Sequence, residues 1–167
     1  EGSVFIAGAA VQWFRDGLRA IGAAPQIDQL ASQAAPESEV TFVPSLTGLG
    51  APYWNPEARG TIFGLDRATT LADVARAALE GVGFQIADLL EAIQANLDFP
   101  AAELQADGGM ARSDPFLQFL ADILNLPVRR APFLESTAIG AALLAGLGVG
   151  LWPGRDEAVS LLRAGSR

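Results

Sequence analysis

The chain has 167 residues and contains no cysteine, no histidine and no lysine. Each absence removes a class of chemistry. Without cysteine there is neither a disulfide framework nor a thiolate nucleophile. Without histidine there is no Ser-His couple, no imidazole metal ligand and no ordinary general base. Without lysine the Gly-Lys-Ser phosphate loop cannot be written. What remains for function is carboxylates, hydroxyls, arginine, backbone amides and a borrowed metal ion. Positive charge is also scarce. Eleven basic residues, all arginine, stand against 19 acids, for a net charge of −8. No basic stripe forms, so a nucleic-acid partner is not expected. A phosphate ligand stays possible, because amides and Mg²⁺ can hold phosphate without lysine.

Half of the residues are apolar, enough to bury a core in one domain or a large piece of one. The opening stretch EGSVFIAGAAVQWF starts with an acid and has no basic leader. The apolar stretch from Ser136 to Trp152 falls short of the roughly 20 residues that span a bilayer. It also carries Gly140, Gly146, Gly148 and Gly150, so it reads as a buried core helix with a glycine-rich exit and not as a membrane span. A soluble, cytoplasmic protein is expected.

Along the chain, Val4–Ile6 reads as a short buried strand ended by Gly8, and a helix follows from about Ala9 to Ala20. A short helix is expected near Ile27–Gln33 and a strand at Val40–Val43. A long Pro- and Gly-rich loop comes next, and loops of that length usually serve a purpose. Thr61–Leu65 resumes as a strand. From Leu71 to Leu97 apolar residues recur at i, i+3, i+4 and i+7, with Thr70 and Asp73 as a capping-box pair. Asp73, Arg76, Glu80, Asp88 and Glu91 form the expected wet face. Glu103–Ala106 is a strand leading into Asp107-Gly108-Gly109. Asp114 is the expected N-cap of the next helix, with Pro115 at its first position. Pro127–Arg130 is a strand, Ser136 or Thr137 caps the last apolar helix, and residues 153–167 form a weakly structured tail with weak helical character. Strands alternating with helices predict an α/β layered fold with partly parallel pairing.

Two strand-glycine-helix junctions stand out. LQADGGMARSDP places Gly108 and Gly109 between a strand end and a helix start, where ligands gather in open α/β sheets. Missing side chains let a ligand approach bare main chain, while a simple Asp-Gly turn explains the same residues without one. Gly8 repeats the arrangement, with Gln12 one turn beyond. The pair suggests a shared cleft. GVGFQI at residues 81–86 lacks the third glycine of a dinucleotide fingerprint and lies inside a helix. GLGVG at residues 146–150 follows a helix, as a C-cap would.

The stretch GTIFGLDRATTLADVARAALE, Gly60–Glu80, resembles the second signature of the FGGY carbohydrate kinases, with Gly60, Gly64, Leu65, Asp73, Val74, Ala77 and Glu80 at the family spacing. TGLGAPYWNPEARG, Thr47–Gly60, resembles the glycerol-phosphorylating branch of that family. The stretches EGSVFIAGAAVQW, LQADGGMARSDPFLQFLADIL and STAIGAALLAGLGVGLW match in order and spacing, so the resemblance runs to Trp152. It implies an actin/hexokinase-like (ribonuclease H-like) α/β fold lacking its first strands. Residues 1–152 would be a partial C-terminal nucleotide-binding domain. It also implies ATP and Mg²⁺ as cofactors, and glycerol as the acceptor, bound by the part that precedes Glu1. Gly8, Gln12, Gly109 and Ser113 fall on nucleotide-binding positions, with Gly108 and Met110 beside them. Ser113 departs from the Asn that is frequent there and reaches less far. The catalytic aspartate would also precede Glu1, so no catalytic residue is expected in this chain. Asp107 would order the turn. Two alternatives are another FGGY kinase, acting on a pentulose or sugar acid, and a non-catalytic nucleotide-binding module. An unpaired sheet edge before Val4 leads to the expectation of a homo-oligomer.

Overall fold

The structure, a computed structural model, describes residues 2–164. Its order is α1 (Gly8–Gln12), α2 (Gln26–Ala31), β1 (Thr41–Val43), β2 (Thr61–Phe63), α3 (Leu71–Gln94), β3 (Leu104–Ala106), α4 (Asp114–Leu124), β4 (Val128–Arg130), α5 (Ser136–Gly148) and α6 (Arg155–Ala164). A five-residue π-helical turn, Trp13–Gly17, continues α1. Such turns inside helices often lie at functional sites. β1 and β2 pair antiparallel, with Phe42 opposite Ile62, and β3 and β4 pair parallel, with Gln105 opposite Arg129. The parallel pair is joined through α4, as a strand-helix-strand unit requires.

α3 is the spine. Its stripe of Ala75, Ala78, Leu79 and Val82 is buried and packs with Phe42 of β1, Phe14 beyond α1, and Phe116 and Leu120 of α4 in one core. Phe14 and Val82 are wholly inaccessible, and truncating such a phenylalanine to alanine costs about 3–5 kcal/mol. The approach is close because α3 carries glycine where it meets its neighbours. A Cβ on Gly81 would lie 2.1 Å from the carbonyl oxygen of Phe42, and one on Gly83 would lie 2.5 Å from the ring of Phe119.

Several expectations need correction. Val4–Ile6 is not a strand: no described strand lies alongside to complete a ladder, although Ile6 is buried in the core. The wet face assigned to α3 begins further along. The Asp73 carboxylate is buried and takes three hydrogen bonds, from the Thr70 amide (2.8 Å), the Thr70 hydroxyl (2.6 Å) and the Ala35 amide (2.9 Å). Arg76 donates to the carbonyls of Ala35 and Ser38. These two residues therefore clamp the 35–38 segment onto α3, a tertiary use that helical spacing cannot disclose. α5 is largely exposed, with Leu144 at 71 %. Its apolar residues surround the axis, so no one face is marked for burial. Trp152 packs against it so tightly that a Cβ on Gly146 would be 1.9 Å from the ring. Neither Ser136 nor Thr137 caps α5; Glu135 precedes it without a side-chain cap. The tail after residue 153 holds the ten-residue helix α6, with Ala158 buried.

Candidate functional site

β3 ends at Ala106, and the chain then turns through Asp107 and Gly108 into a short 3₁₀ turn, Gly109–Arg112. Gly108 has φ +80° and ψ −172°, a conformation that is essentially restricted to glycine. Its amide donates to the Leu134 carbonyl at 2.9 Å, which anchors the turn to the segment after β4. From that strand Arg130 donates to the Ala111 carbonyl and to the Asp114 carboxylate. Asp107 does not order this turn through its side chain. Its carboxylate takes no hydrogen bond among the described residues, and the backbone contact of Gly108 does the holding.

The N-cap of α4 is Ser113, one residue earlier than expected, and Pro115 stands at the second helical position. Ser113 Oγ accepts from the Phe116 amide at 3.1 Å. This hydroxyl therefore satisfies an amide that would otherwise be orphaned at the helix start.

Across from this turn lies the start of α1. Gly8, Gln12, Gly108, Gly109, Met110 and Ser113 all line one cavity of about 610 Å³. The two junctions are about a hundred residues apart in sequence, and the core of α1, α3 and α4 brings them together. Met110 bridges them, since a Cβ on Gly8 would touch its side chain at 3.9 Å. A Cβ on Gly108 or Gly109 would meet no atom within 4 Å. The bare backbone there faces open cavity. Gln12 is exposed and its amide makes no hydrogen bond within the described residues.

Residues that sequence reasoning passed over also line this cavity: Arg15, Arg112, Asp28, Ala24, Pro25 and Ile27. Most come from the stretch around α2, whose lack of clear periodicity hid it. Arg15 is held by a bidentate contact to Asp16, 2.7 Å on each arm. That contact, with its hydrogen bonds first and charge attraction after, lowers the Asp16 carboxyl below its usual range. No group of three or more His, Cys, Asp or Glu residues suited to a metal ion occurs among the described residues. No helix there is long and apolar enough to cross a membrane.

The sequence profile of the FGGY family of carbohydrate kinases, C-terminal domain, matches residues 1–149. The chain belongs to the FGGY family of carbohydrate kinases. It is 53 % identical over 167 residues to the glycerol kinase of Dechloromonas aromatica, covering 100 % of this chain and 33 % of that protein. To the glycerol kinase of Enterococcus casseliflavus it is 50 % identical over 165 residues, covering 99 % and 33 %. The chain thus spans about a third of the length of these FGGY relatives. The crystal structure of Plasmodium falciparum glycerol kinase with ADP superposes with a TM-score of 0.78 at 34 % identity, covering 96 % of this chain and 32 % of that one. A xylulose kinase from Lactobacillus acidophilus superposes with a TM-score of 0.73 at 29 % identity, over 94 % of this chain and 32 % of that one. The fold is accordingly the actin/hexokinase-like fold of the FGGY kinases.

Proposed function

We propose that this chain is the nucleotide-holding part of a glycerol kinase, in which the γ-phosphoryl group of ATP passes to a glycerol hydroxyl. The products are glycerol 3-phosphate and ADP. The observation that carries this reading is the single cavity lined by Gly8, Gln12, Gly108, Gly109, Met110 and Ser113. Its bare glycine backbone leaves room for a ligand. Identity of 53 % to one glycerol kinase, and 29 % to a xylulose kinase of solved structure, favours glycerol over a pentulose as acceptor.

In the transfer, a glycerol oxygen bonds to the γ-phosphorus as the bond from that phosphorus to the ADP oxygen breaks. The hydroxyl proton leaves to a base. Phosphoryl transfer depends mainly on positioning and on stabilising charge. The residues of this chain do the first: the glycine turn and α1 hold nucleotide between them, and closure against the rest of the enzyme excludes water. We assign no general base to this chain, and the acceptor's contacts to the part that resemblance places ahead of it. The residues present form no cation cage among those described. Mg²⁺ would therefore arrive on the nucleotide phosphates, as it commonly does, and no step here is routed through it. The enzyme would work in the cytoplasm as a homo-oligomer.

Calorimetric titration of the 167-residue chain with ADP, beside a coupled ADP-release assay with glycerol, tests this reading. The expected result is nucleotide binding with no glycerol-dependent turnover. A longer protein containing this stretch should prefer glycerol to xylulose in kcat/KM. Absence of nucleotide binding, or equal kcat/KM for the two acceptors, would overturn it.

A further inference from the structure

The hydroxyl of Ser113 is already engaged twice. It accepts from the Phe116 amide at 3.1 Å and donates its proton to Asp28 Oδ1 at 2.7 Å. A hydroxyl has one proton to give, so Ser113, only 9 % exposed, keeps no donor for a ligand. Its contact ties α4 to α2 across 85 residues of sequence. The other oxygen of that carboxylate, Asp28 Oδ2, has no hydrogen-bond partner among the described residues.

Asp28 lines the 610 Å³ cavity and also a smaller neighbour of about 240 Å³, so it stands in the wall between them. Around it in the larger cavity are Ala24, Pro25, Ile27 and Leu79. The cavity also carries Gln12, Arg15, Asp107, Arg112 and Ser113, but apolar neighbours beside a placed polar group are how proteins commonly seat a flat ligand. A carboxylate is repelled by phosphate, so this wall suits the base end of a nucleotide.

We infer that Asp28 is a specificity-determining residue for the nucleotide base, accepting a hydrogen bond at Oδ2 from the exocyclic amine of a 6-aminopurine while Ser113 holds it in place. The inference rests on the nucleotide reading proposed above. A carboxylate only accepts, and that amine is the sole hydrogen-bond donor on the adenine ring system of a nucleotide. A 6-oxopurine presents an acceptor at the same point, and its one ring donor, N1–H, sits on the neighbouring atom, so in the same pose Asp28 Oδ2 faces an oxygen and the base must shift to pair.

The test is calorimetric titration of the 167-residue chain, wild type and Asp28→Asn, with ADP, IDP and 2′-deoxy-ADP. Circular dichroism on the same samples checks the fold. The wild type should bind ADP at least about tenfold more tightly than IDP, the scale of one hydrogen bond to a charged group. It should bind 2′-deoxy-ADP within about threefold of ADP. Asp28→Asn can offer either a donor or an acceptor, so it should bring the ADP/IDP ratio close to one. A wild-type ratio near one overturns the inference whether or not the variant folds. So does a ratio unchanged in Asp28→Asn, or a loss with 2′-deoxy-ADP as large as that with IDP, which would place the contact on the ribose. Failure of the wild type to bind any of the three overturns the nucleotide reading as well, and is distinct from the other results.

Discussion

Two glycine pairs in this molecule have the same side chain and opposite purposes. Gly81 and Gly83 lie inside α3, where each leaves space for a neighbour. A Cβ there would meet the Phe42 carbonyl at 2.1 Å or the Phe119 ring at 2.5 Å. Gly108 and Gly109 lie in the turn after β3, where an added Cβ would meet no atom within 4 Å. The α3 glycines permit close packing within the chain. The turn glycines leave a surface bare, and the surface faces a cavity. The difference shows that a glycine in a sequence states only that something comes close, or that the backbone is unusual. Which of these holds depends on what fills the space a side chain would occupy.

The sharpest way to break this contrast is Gly81→Ala. The obstructing atom is main-chain oxygen, which cannot rotate away, so α3 and β1 must separate. A loss of about 3 kcal/mol or more is expected, seen as a marked fall in Tm. A variant melting with the wild type would remove the packing half of the comparison. Gly108→Ala comes next. It meets no steric neighbour, but its φ of +80° penalises any Cβ, so about 1–3 kcal/mol of stability should be lost in chemical denaturation.

Gly109 has neither obstacle, so it tests the functional half. Gly109→Val should melt within a few degrees of wild type while its Kd for ADP rises about tenfold, equivalent to roughly 1.4 kcal/mol. Gly109→Ala should show a smaller rise. A Gly109→Val chain that is unstable, yet binds ADP normally once folded, would reduce this turn to a structural feature.

The smallest effect belongs to Asp73, which sharpens the view of α3 as scaffold. Hydrogen bonds from the Thr70 hydroxyl and amide, with that from Ala35, hold its carboxyl well below the usual carboxylate range. A carboxyl depressed in the folded state stabilises above its unfolded pKa, and that contribution is lost as pH falls through the folded value. Acid titration should therefore unfold the wild type progressively below about pH 4, and Asp73→Asn should be less stable at pH 7 with a flatter acid limb. Its affinity for ADP should be unchanged, because Asp73 is not part of the cavity.

Much of this was legible in the sequence. The 3.6-residue spacing of Val74, Ala78, Val82 and their neighbours located α3 to within a few residues of its observed end. The Thr70–Asp73 pair marked its start, because a cap is a local device whose partners are three residues apart. Of the two expected strand-glycine-helix junctions, only the one at Gly108 follows a strand, yet both glycine positions line one cavity. The family followed from motif order, since the spacing of Gly60, Gly64, Asp73 and Glu80 is a one-dimensional property.

Other features depended on partners distant in the chain. Ile6 reads as strand by composition, yet a strand exists only where another lies alongside. Ser136–Gly148 is apolar enough for a core, but burial requires something to cover it, and among the described residues mainly Trp152 and α6 do so. Ser113 and Asp114 are both good caps by type, and the hydrogen bond to Phe116 decides between them. Asp28 carried no signal in the sequence. Periodicities, caps, glycine positions and family motifs are local, and all of them can be read along the chain. Folding alone brings Asp28 to Ser113, buries Asp73 and sets Gly8 and Gly109 on one cavity. Hydrogen bonds and packing act over a few ångströms, and residues 85 positions apart come within that range only when the chain has folded.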